Sequence, residues 1–213
     1  MKMNWKRESI IWVALFAPIV YLLIMWNKIP DQLPTHINIH GEADHYGPKY
    51  MQPLISIGLY ILMLILPRID PRRKNYAIFE DTYFKLRFIL VLLSGMIGLL
   101  LSVNSIYHNF KMEMVMPVFI FMMITLIGNY MGNIRQNYFI GIKVPWTLNN
   151  EENWNKTHRM AGKLWVIGGI AGIICIILFK NIGFVFTGII ILIVVVPIVY
   201  SYLLDVKMNG GTK

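Results

Sequence analysis

Six long apolar segments make up most of this chain, at residues 10–26, 53–66, 88–107, 115–130, 164–179 and 184–204. No Asp, Glu, Lys, Arg or His lies inside any of them. A membrane-spanning helix needs about 20 apolar residues. The third and sixth segments have this length, the first lies at the lower edge of the range, and the second, fourth and fifth reach it only with flanking residues. The chain is 56% hydrophobic and only 15% charged, which leaves too few polar side chains to cover a water-facing surface. The pattern predicts an all-α integral membrane protein with a six-transmembrane-helix bundle, and it disfavours a soluble helical protein.

The distribution of basic residues predicts how these helices are oriented. Sixteen of the 20 Lys and Arg residues lie before the first segment, in the second-to-third and fourth-to-fifth loops, or after the sixth segment, and four lie in the other loops. Cytoplasmic loops carry the excess of Lys and Arg, so we expect both termini in the cytoplasm. The formal charge of +9 then follows from topology and from attraction to anionic lipid, and no nucleic-acid partner is expected.

The sequence also argues against several classes of function. Ion-coupled transporters and proton relays place ionisable residues within their spans, whereas these apolar segments hold none. The chain has no His-Glu-x-x-His zinc motif, no Gly-rich phosphate-binding loop and no evident catalytic pair. We therefore expect a protein that binds rather than catalyses and that uses no cofactor.

The loop between the first two segments, residues 27–49, is predicted to be extracellular. Alternation over residues 35–40 predicts a short half-buried strand with His36, Asn38 and His40 on one face. Along a strand, His36 and His40 would lie about 13 Å apart, which is too far for ~2.1 Å bonds to one metal ion. The favoured interpretation is a small extracellular cap held by hydrogen bonds, and a metal site is the less favoured alternative.

The second-to-third loop is predicted to be cytoplasmic and partly helical. Asp70 followed by Pro71 suits the start of a helix. Tyr76, Phe79 and Tyr83 recur at helical spacing, which predicts an amphipathic segment whose aromatic stripe anchors in the lipid surface. Docking of a cytoplasmic protein on this stripe is the alternative.

The fourth-to-fifth loop, residues 132–163, is also predicted to be cytoplasmic and contains many uncharged polar and aromatic residues. Asn149 with Glu152 suits the first turn of a helix that would carry Trp154 and His158 on one face. The irregular backbone before this helix must be covered by protein or water. The loop is therefore expected to fold against the inner end of the bundle, and both a structural lid and a functional site are left open.

Two groups of residues resemble known families. The outer-loop residues Pro34, His36, Asn38, Gly41, Glu42, Asp44 and Lys49 resemble the DUF1648 domain. The long cytoplasmic loop is similar to the SdpI family motif at Asn137, Gly141, Pro145, Trp146, Thr147, Trp154, Thr157, His158 and Gly162. We accordingly expect a DUF1648-like region over residues 1–87 and an SdpI-like region over residues 88–213, joined in one compact membrane domain.

The resemblance implies a multi-pass protein of a bacterial cytoplasmic membrane that protects its cell from a secreted, membrane-active peptide toxin. The outer-loop residues are then expected to face the toxin or to form the cap. The resemblance also implies a possible partner inside the cell, a soluble repressor, for which Arg72, Arg73, Lys74 and Arg159 are the candidate docking residues. A repressor-holding receptor, a small transporter, an envelope-homeostasis protein and an enzyme dependent on His36, His40 or His158 are the alternatives, and a homodimer is left open.

Overall fold

The computed structural model describes residues 5–38, 43–108, 110–179 and 182–210. In chain order the elements are α1 (Trp5–Ile24), β1 (Gln32–Ile37), β2 (Ala43–Pro48), α2 (Met51–Ile69), α3 (Asn75–Ile78), α4 (Glu80–Tyr107), α5 (Met112–Met131), α6 (Pro145–Asn149), α7 (Glu151–Leu178) and α8 (Ile182–Gly210). Within the described residues, six of the helices, all except the short α3 and α6, are long and apolar enough to cross a membrane. The prediction of a helical multi-pass membrane protein with six spans is confirmed, and the orientation of the termini stays a prediction.

The six long helices form two groups. In the first group α4 packs against α1 and α2, and in the second α7 packs against both α5 and α8. A contact between α4 and α5 joins the two groups. The short helix α3 lies where the two groups meet, because its Tyr76 packs in one buried cluster with Met131 and Trp154 of the second group.

Glycines allow α5 and α7 to approach closely. A Cβ atom on Gly162 would lie 2.7 Å from the backbone oxygen of Gly128, and one on Gly172 would lie 2.6 Å from the ring of Phe121. Small residues at such positions let helix backbones come together in lipid. Gly168, which is four residues from Gly172, instead faces Ile193 of α8. These glycines therefore pack inside the chain, and a homodimer stays a prediction.

The loop between α1 and α2 folds into an antiparallel hairpin of β1 and β2, in which Leu33 pairs with Gly47 and His36 with His45. The strand predicted over residues 35–40 lies instead at Gln32–Ile37, and its partner strand was not predicted. Residues 39–42, which include His40, Gly41 and Glu42, lie outside the described residues. The buried side chain of Leu33 packs with Leu22, Ile29 and Ile106, so the hairpin rests on the ends of α1 and α4.

The aromatic residues of the first cytoplasmic loop are buried inside the protein. Tyr76, Phe79 and Tyr83 are between 0% and 4% exposed, and the ring centroids of Tyr76 and Tyr83 are 5.1 Å apart. Phe79 leaves the helical backbone conformation at φ −118° and ψ 32°, which separates α3 from α4 and turns the rings inward. The interpretation of this stripe as a lipid anchor is therefore wrong. Asp70 also ends α2 rather than starting a helix.

A buried ion pair joins α1 to α4. Glu8 is 3% exposed and Arg87 is 1% exposed, and an Arg87 amino group donates to the Glu8 carboxylate. The Tyr60 hydroxyl of α2 donates to the second Glu8 oxygen at 3.1 Å, and Trp12 Nε1 donates to the Tyr60 oxygen at 2.9 Å. One polar cluster therefore ties the three helices of the first group together near the start of α1.

We predict that Gly162→Ala destabilises the protein by about 1–3 kcal/mol, which is the usual cost of overpacking a close interface, because the new methyl group meets backbone rather than a movable side chain. The matched control is Gly188→Ala, since nothing lies within 4 Å of its Cβ position and alanine favours a helix over glycine. Thermal unfolding in detergent should show a lower melting temperature for Gly162→Ala only. Equal melting temperatures would contradict the close contact of α5 with α7.

Candidate functional site

Asn137 organises the irregular backbone between α5 and α6. Its side chain is fully buried, and its Oδ1 atom accepts the N–H groups of Phe139 at 2.9 Å and Ile140 at 2.7 Å. Its Nδ2 atom donates to the carbonyl oxygens of Arg135 at 2.9 Å and Ile140 at 3.0 Å. A single amide side chain thus replaces the backbone hydrogen bonds that this segment would have in a helix or sheet.

The Asp70 carboxylate connects this segment to the end of α2. Asp70 is 2% exposed. Its Oδ2 atom accepts hydrogen bonds from the Tyr138 N–H at 2.9 Å and from the Tyr76 hydroxyl at 3.0 Å. Its Oδ1 atom accepts a hydrogen bond from the Arg72 N–H at 2.7 Å. Burial, and then the neighbouring Asp70 charge, raises the pKa of Tyr76. The Tyr76 hydroxyl therefore stays protonated as a donor, and the buried carboxylate is compensated by three donors.

Further hydrogen bonds join the same parts of the chain. Asn75 Nδ2 donates to the Gln136 carbonyl oxygen at 2.6 Å, and Arg72 Nη2 donates to the Leu148 carbonyl oxygen at 2.7 Å. Gln136 Nε2 donates to the carbonyl oxygens of Thr147 at 2.7 Å and Leu148 at 3.0 Å. We call Asp70, Arg72, Asn75, Tyr76, Gln136 and Asn137 the polar junction. Its members come from both helix groups and fix them to each other.

Trp154 and His158 of α7 form the wall behind this segment. Both are fully buried, and their rings stack with centroids 4.0 Å apart. Trp154 Nε1 donates to the Ile134 carbonyl oxygen at 2.8 Å. His158 Nδ1 lies 2.8 Å from the Trp154 carbonyl oxygen, while its Nε2 accepts the Ile142 N–H at 3.0 Å. This pattern requires a neutral imidazole protonated at Nδ1, so neither ring nitrogen is available as a catalytic base or metal ligand.

Gly141 fits against this wall because it lacks a side chain. Its φ of +119° lies in a region that L-residues rarely adopt. A Cβ atom there would lie 3.1 Å from the Trp154 ring and would also meet His158 Nε2. Glycine is thus needed at position 141 for both its backbone conformation and its close approach to two buried rings.

Pro145 and Thr147 start α6. Pro145 is the first residue of this helix, a position that suits proline because no intrahelical N–H bond is needed there. The buried Thr147 hydroxyl accepts the Val144 N–H at 3.1 Å and lies 2.7 Å from the Ile142 carbonyl oxygen, to which it donates. These bonds turn the chain from the irregular segment into α6.

The remaining motif residues join α6 and α7 to α8. Trp146 Nε1 donates to Ser201 Oγ at 2.7 Å, and Asn153 Nδ2 donates to the Ser201 carbonyl oxygen at 2.9 Å. The Thr157 hydroxyl donates to Asn153 Oδ1 at 3.0 Å. Asn150, rather than the predicted Asn149, caps α7 by accepting the Asn153 N–H at 3.0 Å. Asn153 and Ser201 were not predicted as site residues.

The structure thus brings the nine motif residues into one connected region, but not onto an open surface. Five of them have 0% exposure, namely Asn137, Thr147, Trp154, Thr157 and His158. Gly162 is buried against α5, Gly141 and Trp146 are half-buried, and Pro145 is exposed. Their hydrogen bonds are made within the protein, and the arrangement supports a structural role rather than a reaction at this position.

The four candidate docking residues lie on different surfaces. Arg73 and Lys74 are exposed and line a cavity beside α1, α2 and α4, whereas Arg159 is exposed and lines another cavity between α5 and α7. Arg72 belongs to the polar junction, and its guanidinium lies 5.0 Å from the centroid of the Tyr138 ring. Neither of these two cavities holds all four residues.

The hairpin presents a cluster of three exposed side chains. His36 Nδ1 lies 2.6 Å from Asp44 Oδ1, and His45 Nδ1 lies 3.2 Å from the same oxygen. The hydrogen bond from His36 is the main cause that lowers the pKa of Asp44. The potential ligand atoms lie within 4.8 Å of one another, and these residue types could hold a transition-metal ion, although their hydrogen bonds alone account for their closeness. The spacing along one strand separates His36 from His40, whereas the pairing of β1 with β2 brings His36 next to His45, and this pairing is not visible in the sequence.

Lys49 holds the hairpin in place instead of facing outward. It is 5% exposed, and its Nζ atom donates to the carbonyl oxygens of Trp26 at 2.9 Å and Ile29 at 3.1 Å and lies 3.0 Å from Asp31 Oδ1. Of the other predicted cap residues, Pro34 and Asn38 are half-buried. The exposed surface of the described cap therefore centres on His36, Asp44 and His45, without Lys49.

Comparisons with known proteins match two parts of the chain, and each part contains one of the two sets of motifs. Residues 133–201 match the model of the SdpI/YfhL protein family, and residues 13–64 match that of a domain of unknown function, DUF1648. The chain is 24% identical over 213 residues to Immunity protein SdpI of Bacillus subtilis (strain 168), and the alignment covers 97% of this chain and 99% of that protein. No solved structure matches the chain.

We predict that Asp70→Ala destabilises the protein by about 2–4 kcal/mol, because two backbone N–H groups and the buried Tyr76 hydroxyl lose their shared acceptor. The matched control is Asp81→Ala, which removes a carboxylate that is 74% exposed and pairs with Arg7, a surface contact worth about 1 kcal/mol or less. Thermal unfolding of both variants in detergent provides the comparison. Similar small shifts for the two variants would contradict the role of Asp70 in joining the helix groups.

Proposed function

Because this chain belongs to the SdpI/YfhL protein family, we propose that it is a membrane immunity protein that protects the cell producing it from a secreted, membrane-active peptide toxin. The main support is the similarity along nearly the whole chain to a protein named for immunity. The chain is a multi-pass cell-membrane protein, so it resides where such a toxin would act. The proposed protection is by binding, without a chemical step.

The hairpin is the proposed contact surface for the toxin. On the orientation predicted from the basic loops, a peptide approaching from outside the cell meets this hairpin before it meets the helices. The hairpin exposes His36, Asp44, His45 and Tyr46, the last with 59% exposure. Tyrosine is frequent among the residues that dominate binding energies, and charged and imidazole groups beside it can orient a peptide.

The attachment of the hairpin supports a rigid binding surface. Lys49 fixes one strand to the backbone that follows α1, and Leu33 fixes the other strand to Leu22 and Ile106. A rigid surface loses little conformational entropy when it binds a partner. A bound peptide would therefore act on the ends of α1 and α4, the two helices that Glu8 and Arg87 join near their opposite ends.

The motif of the long cytoplasmic loop has a supporting role in this proposal. Its polar groups are satisfied within the protein, and His158 has both ring nitrogens engaged. We infer that these residues hold the two helix groups at a fixed spacing, and that substitutions there affect protection through folding. Substitutions in the hairpin would affect protection without lowering the amount of protein in the membrane.

A second candidate function is the recruitment of a soluble repressor from the cytoplasm. It is favoured by the exposure of Arg73, Lys74 and Arg159. Arg72 is less suited, because it is partly buried and donates to the Leu148 carbonyl oxygen. This candidate requires that a DNA-binding protein moves to the membrane only when toxin is present, and fluorescence microscopy of labelled repressor would test it.

We predict that cells expressing the chain survive a membrane-active secreted peptide, with their membrane potential preserved, whereas the double variant His36→Ala/Asn38→Ala fails to protect them. Loss of one well-placed contact weakens binding by roughly tenfold or more. Colony counts and a potential-sensitive dye give the readout over a range of peptide concentrations. Quantification of the protein in isolated membranes must show equal amounts of both forms.

The matched control is His108→Ala. His108 is an exposed histidine at the end of α4, and its Nδ1 lies 3.0 Å from the carbonyl oxygen of Asn104 in the same helix. The control variant should protect as well as the unchanged chain does. Full protection by the hairpin variant would exclude the hairpin as the contact surface, and the absence of protection by the unchanged chain against every peptide tested would argue against immunity itself.

A further inference from the structure

A cavity of about 420 Å³ lies between the start of α1, the end of α2, α3 and the start of α4. Its charged lining consists of five basic residues, Arg7, Arg68, Arg73, Lys74 and Arg87, and two acidic residues, Glu8 and Glu80. Its uncharged wall includes Met63, Leu64, Pro67 and Phe84. The cavity thus combines an excess of positive charge with an apolar side.

The deepest basic residue in this lining has an unused donor. Arg87 is 1% exposed and gives one amino group to Glu8, but its buried Nε atom has no hydrogen-bond partner among the described residues. A buried donor without an acceptor costs about 1–3 kcal/mol. This Nε atom is closed off from the cavity, so an oxygen atom of a ligand would remove the cost after a small rotation of the Arg87 side chain. Glu8 does not repel such a ligand strongly, because Arg87 neutralises its charge.

The rim of the cavity holds basic residues that are free to meet a ligand. Arg68, Arg73 and Lys74 are exposed, and none of them forms an ion pair within the described residues. Arg7 is less available, because its guanidinium lies 2.6 Å from an Asp81 oxygen and over the Phe84 ring. The rim therefore presents three exposed cationic side chains, Arg68, Arg73 and Lys74, beside the buried Arg87.

We propose that this cavity binds the phosphate-containing headgroup of an anionic phospholipid. The guanidinium and ammonium groups suit phosphate oxygens, and the apolar wall suits the glycerol backbone and the first part of an acyl chain. The cavity lies at the ends of membrane-spanning helices, where headgroups are located, and basic pockets between such helices recognise anionic headgroups. A free phosphate would use the same cationic groups but would leave the apolar wall without a partner.

The proposal does not depend on immunity, because it concerns the opposite end of the helices from the hairpin. It does assign Arg73 and Lys74 to a lipid rather than to a soluble protein. A headgroup in this position would fasten α1, α2 and α4 together beside the Glu8–Arg87 pair. Removal of anionic lipid should then lower the stability of the first helix group.

The test uses the full chain in a non-ionic detergent, titrated with phosphatidylglycerol or with phosphatidylcholine of the same acyl chains. Native mass spectrometry counts bound lipid, and thermal unfolding measures stabilisation. We expect phosphatidylglycerol to bind and to raise the melting temperature. Phosphatidylcholine should bind less and should raise the melting temperature less. The variant Arg73→Gln/Lys74→Gln should weaken phosphatidylglycerol binding about tenfold or more, since each basic group near a lipid surface contributes on the order of 1 kcal/mol.

The matched control is Arg135→Gln/Lys143→Gln, which removes the same charge from exposed residues outside the cavity and should keep the preference for phosphatidylglycerol. Equal binding of the two lipids by the unchanged chain would overturn the proposal. Equal losses in the two variants would also overturn it, in favour of general surface attraction. Glycerol 3-phosphate provides the last arm, and stabilisation by it equal to that by phosphatidylglycerol would assign the cavity to a soluble phosphate instead of a lipid.

Discussion

The buried carboxylate of Asp70 is the group on which the arrangement of this protein depends. It ends α2 and accepts hydrogen bonds from Tyr76, from the Arg72 backbone and from the Tyr138 backbone. A carboxylate removed from water is tolerated only when donors surround it, so α3 and the segment after α5 must both reach it. The two helix groups also share the contact of α4 with α5 and a buried apolar cluster in which Leu66 and Tyr83 pack with Met131 and Trp154. The apolar contacts are not directional, whereas the hydrogen bonds of the polar junction fix how one group sits against the other.

This arrangement separates the motif that identifies the family from the surfaces that can meet a partner. The motif side chains make their hydrogen bonds inside the protein, and Gly141 is required because Trp154 and His158 lie against it. The hairpin and the basic cavity lie elsewhere, on the first helix group. The motif residues are thus needed to fold irregular backbone near a membrane surface. The proposed contacts with partners are made by residues outside this motif.

The sequence predicted the six spans well, because apolar length is a property of each segment alone. It also placed Trp154 and His158 on one face of α7, and both are buried. It did not predict the partner strand of the hairpin, the pairing of His36 with His45, or the Glu8–Arg87 ion pair, since each joins residues whose meeting depends on the fold. Tyr76, Phe79 and Tyr83 have the spacing of an amphipathic helix, but the break at Phe79 turns them inward. The density of Asn and Gln around position 137 was a sequence signal of one side of the polar junction.

Hydrogen–deuterium exchange of the backbone amides of Tyr138, Phe139, Ile140 and Ile142 tests the central claim most directly. These amides belong to no helix or strand, and each donates to a side chain, namely Asp70, Asn137 or His158. If these acceptors are buried and fixed, the four amides exchange as slowly as those of the long helices. Exchange at the rate of an open loop would show that the junction does not hold, and that the motif lies on an accessible surface after all.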